Sequence, residues 1–305
     1  MQKVIIYGGS GFVGSHLVPA LEEQGYLVVV CDRAEPHFTF KGEFIECDIM
    51  EPLRGQWTYE DESYLSNPYA VINLAGKNIF GKFTEEHKQA IYDSRITGTR
   101  NIMTTFQEPR FKPRACIAAS AVGYYGDQGK TIITEQGSMG QNFLASVVAD
   151  WEGEARRAEE MGIRLIMMRQ GNILGEGGLV SVLKPYYEKG IGGPIGLGRF
   201  YFPWIHVEDL VGYYSKALST ESVRGTYNVV VGEPITYREF SKAFAQSMKK
   251  PHFLFIPPFA LKLRFGEFAN EITASQRIVP QRINTMGYEL IFADIWEAME
   301  YQVGK

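Results

Sequence analysis

The chain has 305 residues, enough for about two domains and for a large core that needs no disulfide or metal staple. Hydrophobic residues make up 45% and charged residues 22%, which excludes a disordered chain. With 31 Lys and Arg against 35 Asp and Glu, the net charge of −4 leaves no basic excess for nucleic acid. No stretch approaches roughly 18 uninterrupted apolar residues, so a membrane span is excluded and no membrane partner is expected.

The first run, Lys3-Val4-Ile5-Ile6-Tyr7, is a short β-branched strand ending in glycines, too short and too broken to serve as a signal peptide. Leu27 to Cys31 is the second strand, Glu43 to Cys47 a weaker third, and Tyr69 to Leu74 a fourth. Arg114 to Ser120 and Arg164 to Met168 continue the series. Between them lie helical stretches, among them 142–161, where Leu144, Val147, Val148 and Trp151 recur at helical spacing. Pro19 falls inside the first helix, where a kink is expected. Strands buried on both faces with helices between them imply a parallel sheet with right-handed crossovers. After Met168 the rhythm changes: 171–198 is glycine-rich, and Pro257, Pro258 and Pro280 punctuate mostly helical segments. Val207 to Leu218 reads as a helix, and Gly225 to Val230 as a strand that could return to the first sheet. Cys31, Cys47 and Cys116 form no CxxC pair and read as reduced core thiols of a cytosolic protein. The five histidines lack metal-ligand spacing, so no metal site is expected.

Directly after the first strand stands Gly8-Gly9-Ser10-Gly11-Phe12-Val13-Gly14, opening an apolar-periodic helix. Glycines there permit a tight turn, close approach of a pyrophosphate to the backbone, and packing of helix on strand. The helix N-terminus offers unpaired N–H groups and partial positive charge to phosphates. The second strand ends at Asp32-Arg33. An Asp there suits the ribose diol of NAD, an Arg the 2′-phosphate of NADP, and this chain has both. Asp48 follows the third strand and could lie near the adenine, or simply in a turn. Residues 76–82 fit GxxxxGK, but Phe83 stands where a magnesium-binding hydroxyl would, so a triphosphate site is not expected.

These residues together resemble the extended short-chain dehydrogenase/reductase superfamily, which includes sugar-nucleotide epimerases and dehydratases. Asn73-Leu74-Ala75-Gly76 resembles its loop after the fourth strand. Ser120-Ala121-Val122-Gly123-Tyr124-Tyr125-Gly126 resembles the strand end with the active-site Ser, and Arg169 to Gly175, including Gly171 and Asn172, the segment meeting cofactor and substrate. Asp93-Ser94-Arg95, the segment 119–127, Phe202-Pro203-Trp204-Ile205-His206 and Gln276 to Arg282 resemble an atypical subgroup called epimerase-family proteins. The resemblance implies an NAD(P)-binding fold with a leaning to NADP through Arg33, cofactor contacts at Leu74, Ala75, Gly76, Arg95, Ser120, Gly171 and Asn172, and a plausible homodimer.

One feature of the superfamily is missing. Its members use a Tyr-x-x-x-Lys pair in which Tyr moves a proton and Lys lowers its pKa; the matching positions here hold Phe143 and Val147. Two explanations stand. Ser120, Tyr125 and His206 assume the acid/base work, or the protein binds dinucleotide without turnover and senses its level. Ser120 could equally be a structural strand-end serine, Tyr124 and Tyr125 packing aromatics, and His206 a helix-start polar residue. Tyr124, Asn172, Arg199 and Trp204 are the candidate substrate contacts; Lys184, Arg277 and Arg282 are further cations that could meet an anionic group. The expected architecture is an α/β, Rossmann-type doubly wound parallel sheet spanning 1–172, with 205–231 returning to it. A smaller, mostly helical substrate lobe is expected over 173–204 and 232–305. The expected function is an NAD(P)-dependent oxidoreductase or epimerase-like protein acting on a small polar substrate, with a dinucleotide sensor as alternative.

Overall fold

The structure is a computed structural model and describes residues 1–252 and 254–304. The chain opens with β1 (Lys3–Tyr7), α1 (Phe12–Glu23), β2 (Leu27–Asp32), β3 (Glu43–Glu46), α2 (Tyr59–Leu65), β4 (Ala70–Asn73) and α3 (Glu85–Thr105). It continues through β5 (Ala115–Ala121), β6 (Ile132–Ile133), α4 (Phe143–Glu160), β7 (Arg164–Gln170), β8 (Asn172–Leu174) and α5 (Leu179–Glu188). The last part holds β9 (Trp204–His206), α6 (Val207–Ser219), β10 (Gly225–Val229), α7 (Tyr237–Ser247), α8 (Pro258–Phe265), α9 (Phe268–Ile272), β11 (Arg277–Ile278) and α10 (Ile295–Gly304).

Seven strands form one parallel sheet in the order β10-β7-β5-β4-β1-β2-β3. Alternation along β1 shows how the sequence builds both faces. Val4 and Ile6 enter a cluster with Leu17, Val18 and Leu21 of α1 and Leu210, Tyr213 and Tyr214 of α6. Ile5 and Tyr7 point the other way, against Ile102 and Met103 of α3 and Ala155 and Ala158 of α4. Helices therefore cover both sides, as continuous β-branched runs require. The strand order reverses between β1 and β4, and a crevice outside their C-terminal ends is where such sheets bind ligands.

The expected α/β doubly wound sheet is the one observed, with β10 as its edge strand beside β7. α1 runs through Pro19 to Glu23 without interruption. The glycine-rich and helical segments after β7 add a small parallel ribbon of β8 with β9, and β11 reaches back to pair in parallel with β6. The apolar cluster on the α1 and α6 face continues through Tyr187, Phe202, Trp204, Phe240 and Phe244 into α7 and α10.

Candidate dinucleotide-binding site

A cleft of about 760 Å³ opens at the C-terminal ends of the central strands, within the ordinary size of a ligand pocket. Its floor is the turn from β1 to α1. Gly8 has φ +77°, and a Cβ on it would stand 2.6 Å from the Ala75 nitrogen, so the turn passes the loop after β4 too closely for a side chain. A Cβ on Gly14 would stand 2.1 Å from the Gly9 carbonyl, so only glycine lets the first helical turn nest into the loop. Gly11 caps α1 without a side-chain hydrogen bond, and the first turn carries no acidic residue. The N–H groups there are thus left for an external acceptor, which fits a pyrophosphate.

The end of β2 is organised around Asp32. Its Oδ2 accepts the Ser10 N–H at 3.1 Å and its Oδ1 the Arg33 N–H at 2.8 Å, while the Ser10 hydroxyl donates to the Ala34 carbonyl at 2.6 Å. The carboxylate ties the glycine turn to its neighbouring strand. Arg33 is exposed and, among the described residues, in no ion pair; it borders both the main cleft and a hollow beside it formed with Glu46, Asp48 and Gln56. Asp48 accepts the Met50 N–H at 3.0 Å, and its own backbone is clasped by the Gln56 amide through bonds of 2.7 and 2.8 Å.

The opposite wall is the loop after β4. Buried Asn73 donates to the Thr99 hydroxyl at 3.0 Å and accepts the Ala75 N–H at 3.1 Å, and the Trp151 indole also donates to Thr99 at 2.9 Å. Arg95 lies under this loop, donating to the Lys77 carbonyl at 3.0 Å, with its guanidinium 5.2 Å from the Trp151 ring. Burial lowers its pKa to about 10.

Of the sequence-derived cofactor residues, Gly8, Gly11, Phe12, Val13, Gly14, Asp32, Arg33, Asp48, Leu74, Ala75 and Gly76 line the cleft. Gly9, Ser10, Arg95, Ser120, Gly171 and Asn172 are not among its lining residues. Gly171 packs against Pro203 and Val230, and the Asn172 amide donates to the Pro203 carbonyl at 2.8 Å. Cys31, Cys47, Lys77, Asp93, Ser94, Ala119 and Gln170, none of them named as a cofactor contact from sequence, also face the cleft. Cys31, Ala119 and Gln170 lie in the last residues of β2, β5 and β7 and Cys47 just after β3, whereas Asp93 and Ser94 are on α3 and Lys77 in the loop ahead of it. The GxxxxGK stretch at 76–82 lies in the loop ahead of α3, and Phe83 is buried against Phe143 and Phe268.

Beyond Ala119 and Gln170 lies a buried polar chain. Ser120 Oγ donates to Glu152 Oε1 at 2.6 Å, and Glu152 receives Arg169 through two bonds of 2.7 Å. Arg169 Nη1 donates to the Tyr125 hydroxyl at 2.9 Å, which donates to Asn228 Oδ1 at 2.7 Å. Tyr124 places its ring 3.5 Å from the Arg169 guanidinium carbon. Burial works against charge on Arg169, but the Glu152 carboxylate and then the Tyr125 hydroxyl hold its pKa above the ordinary value. Burial raises the Tyr125 pKa despite Arg169. Glu152 was not singled out from sequence, because a charged residue inside an amphipathic helix carries no sign that it turns inward; Asn228, on the edge strand β10, was not singled out either, and Arg169 entered only as the first residue of a family-like segment.

The remaining candidates lie apart from the cleft lining. His206 is 1% exposed; its Nδ1 accepts the Glu208 N–H at 3.3 Å as the cap of α6, and its Nε2 donates to Gln302 at 3.1 Å. Burial lowers its pKa. Trp204 is buried, with its indole nitrogen unpaired among the described residues, and Arg199 is exposed beside Gly198. Phe143 opens α4 half-buried against Phe83, and Val147 is buried with Ile91, Leu144 and Trp151.

The sheet order and the glycine-floored cleft define a doubly wound dinucleotide-binding protein of the extended short-chain dehydrogenase/reductase type. The chain belongs to the NAD dependent epimerase/dehydratase family, whose model matches residues 4–231; a domain of unknown function, DUF1731, matches residues 256–301. It is 34% identical over 298 residues to the epimerase family protein YfhF of Bacillus subtilis, covering 96% of this chain and 95% of that one. It is 31% identical to the chloroplastic epimerase family protein SDR39U1 homolog of Arabidopsis thaliana, covering 98% of this chain and 86% of that protein. Human epimerase family protein SDR39U1, crystallised with NADPH, superposes with a TM-score of 0.85 at 25% identity, covering 99% of both chains. UDP-glucose 4-epimerase of Thermus thermophilus, in complex with NAD, shares the fold at a TM-score of 0.78 and 20% identity, covering 99% of this chain and 98% of that one.

Proposed function

We propose that the chain binds NADP(H) across the C-terminal ends of its sheet and works as an NAD(P)-dependent oxidoreductase or epimerase-like enzyme on a small polar substrate. The observation that carries the cofactor choice is the end of β2. Both Asp32 oxygens already accept backbone N–H groups, whereas Arg33 is exposed at the rim with no acidic partner among the described residues. A guanidinium in that position suits a 2′-phosphate. The human relative crystallised with NADPH supports the same choice.

The bound nicotinamide would supply hydride transfer; this chain's residues bind, orient and handle the proton. The turn 8–14 and the N–H groups of α1 would hold the pyrophosphate, and the Asn73–Thr99 contact fixes the wall at Leu74 to Gly76. With Phe143 and Val147 unable to exchange a proton, Ser120 is the first acid/base candidate, since it directly follows Ala119, which lines the cleft, and its hydroxyl is hydrogen-bonded to the Glu152 carboxylate. Tyr125 and His206, buried and committed to internal partners as Ser120 is, lie next to no lining residue and are weaker candidates. Tyr124, half-buried, and the exposed Arg199 remain candidate substrate contacts.

One observation favours the non-catalytic alternative: the Ser120 hydroxyl is taken up by an internal ion pair, so dinucleotide could bind without turnover. Calorimetric titration with NADPH, NADP, NADH and NAD tests binding. A ligand at a hundredfold excess over its dissociation constant should stabilise the fold by about 2.7 kcal/mol. No thermal shift with any of the four overturns the reading. Absorbance of NADPH against a carbonyl panel then separates enzyme from sensor: turnover reduced by Ser120→Ala supports the enzyme, and saturable binding without turnover supports the sensor.

A further inference from the structure

The exposed apolar side chains are unevenly placed. Leu254, Phe255, Phe259 and Leu263 are 43%, 62%, 73% and 85% exposed, and Ile191 and Leu197 are 49% and 63% exposed. Two segments bring them together. The stretch 190–198 runs beside 254–258, joined by Ile256 N–H to the Pro194 carbonyl and Gly196 N–H to the Ile256 carbonyl, each 2.8 Å. Gly193 passes so close to the Leu254 carbonyl that a Cβ would collide with it. α8 follows at once, with Phe259 and Leu263 one helical turn apart and so on one face.

The charge in these segments is one-sided. Between 248 and 265 the sequence has Lys249, Lys250, Lys262 and Arg264 and no acidic residue; between 189 and 200 it has Lys189 and Arg199 and again none. All six are exposed, and among the described residues none is in an ion pair. The whole chain is nevertheless acidic, with net charge −4. Bulky apolar side chains bordered by unpaired cations, on a chain that is otherwise negative, are the signature of a surface that settles into an anionic lipid interface. A second copy of the chain fits less well, because a two-fold contact through this face would set cations against cations.

We infer that the face formed by 189–200, 248–252 and 254–265 docks on the surface of an anionic bilayer, with Phe255, Phe259 and Leu263 entering the headgroup region and the cations meeting lipid phosphates. No helix among the described residues is long and apolar enough to cross a membrane, so the contact is peripheral. The inference is independent of the dinucleotide reading.

Sedimentation of the full chain with vesicles tests it, comparing phosphatidylcholine alone with phosphatidylcholine containing about one third phosphatidylglycerol. The expected result is capture by the anionic vesicles at least tenfold above the neutral ones, lost in high salt. Phe259→Ser with Leu263→Ser should abolish capture, and Lys249→Glu, Lys250→Glu, Lys262→Glu with Arg264→Glu should do the same. These positions are exposed, and an unchanged thermal midpoint shows that the fold survives. Equal capture by both vesicle types, no capture by either, or capture that persists in the folded variants overturns the inference. So does a dimer in sedimentation velocity that the Phe259 and Leu263 variant dissociates, since a second copy would then cover this face.

Discussion

Ser120 and Glu152 meet at 2.6 Å inside the protein, a strand-end hydroxyl giving its proton to a carboxylate on α4 that also holds Arg169. This contact takes up the hydroxyl of the first acid/base candidate. It also makes the three residues one electrostatic unit. Glu152→Gln should leave the Arg169 guanidinium buried without its counter-charge, at a cost of about 3–5 kcal/mol. Ser120→Ala removes only one bond to a charged group and should cost about 1.5–3 kcal/mol. Urea denaturation of both variants checks the order; a Glu152→Gln loss no larger than that of Ser120→Ala contradicts it.

Installing a Tyr-x-x-x-Lys pair at positions 143 and 147 should fail at one of the two. Val147 is packed among Ile91, Leu144 and Trp151, so Val147→Lys introduces a buried cation with no acceptor in that cluster and should destabilise by more than about 3 kcal/mol. Phe143 is half-buried at the start of α4, and Phe143→Tyr should change stability by less than about 1 kcal/mol. Thermal melts of the two single variants decide it.

At the end of β2 the roles divide. Arg33→Ala should weaken NADP binding by about 1.5–3 kcal/mol and leave NAD nearly unchanged. Simple charge repulsion would have Asp32→Ala improve NADP binding, but the carboxylate holds the Ser10 and Arg33 N–H groups. Its removal should therefore loosen the glycine turn and weaken both cofactors. Calorimetric titration of each variant with each cofactor measures this; NADP tightening in Asp32→Ala would show that repulsion dominates.

Acid should act through His206. Burial lowers its pKa, so the folded state disfavours the imidazolium. The stability this represents is present above the unfolded value of about 6.5 and falls away as pH drops toward the lower folded value. His206→Asn keeps a capping side chain for α6 but cannot titrate. Its urea midpoint should fall less than that of the parent chain between pH 7 and pH 5, and parallel curves would contradict the assignment.

The sheet and the glycine floor of the cleft were legible because each depends on local rules. Strands such as Lys3–Tyr7 announce themselves by β-branched runs, and Gly8 and Gly14 by a spacing that close approach imposes. The polar chain from Ser120 to Asn228 was not legible. Glu152 and Arg169 are 32 and 49 residues from Ser120, and only the packing of α4 against β5 and β7 turns them toward it. His206 shows the reverse limit: a histidine at a helix start looks the same in sequence whether it caps or reacts. Its place between Gln302 and the Glu208 N–H gives it the work of a cap.

The loop after β5 is held from the far end of the chain. Gln276 donates to the Val122 and Gly126 carbonyls at 2.9 and 3.1 Å, Ser275 donates to the Gly129 carbonyl at 2.6 Å, and β11 pairs with β6. During synthesis, β1 to β5 and β7 have all emerged once residue 170 is out, yet β6 and the shape of the Tyr124 and Tyr125 loop wait for residues 275–278. At about 5–20 residues per second that interval is roughly 5–20 s. The nascent chain thus passes through a period in which its cofactor cleft precedes the loop beside it, and dinucleotide captured then would meet a half already folded while its neighbour was still being made.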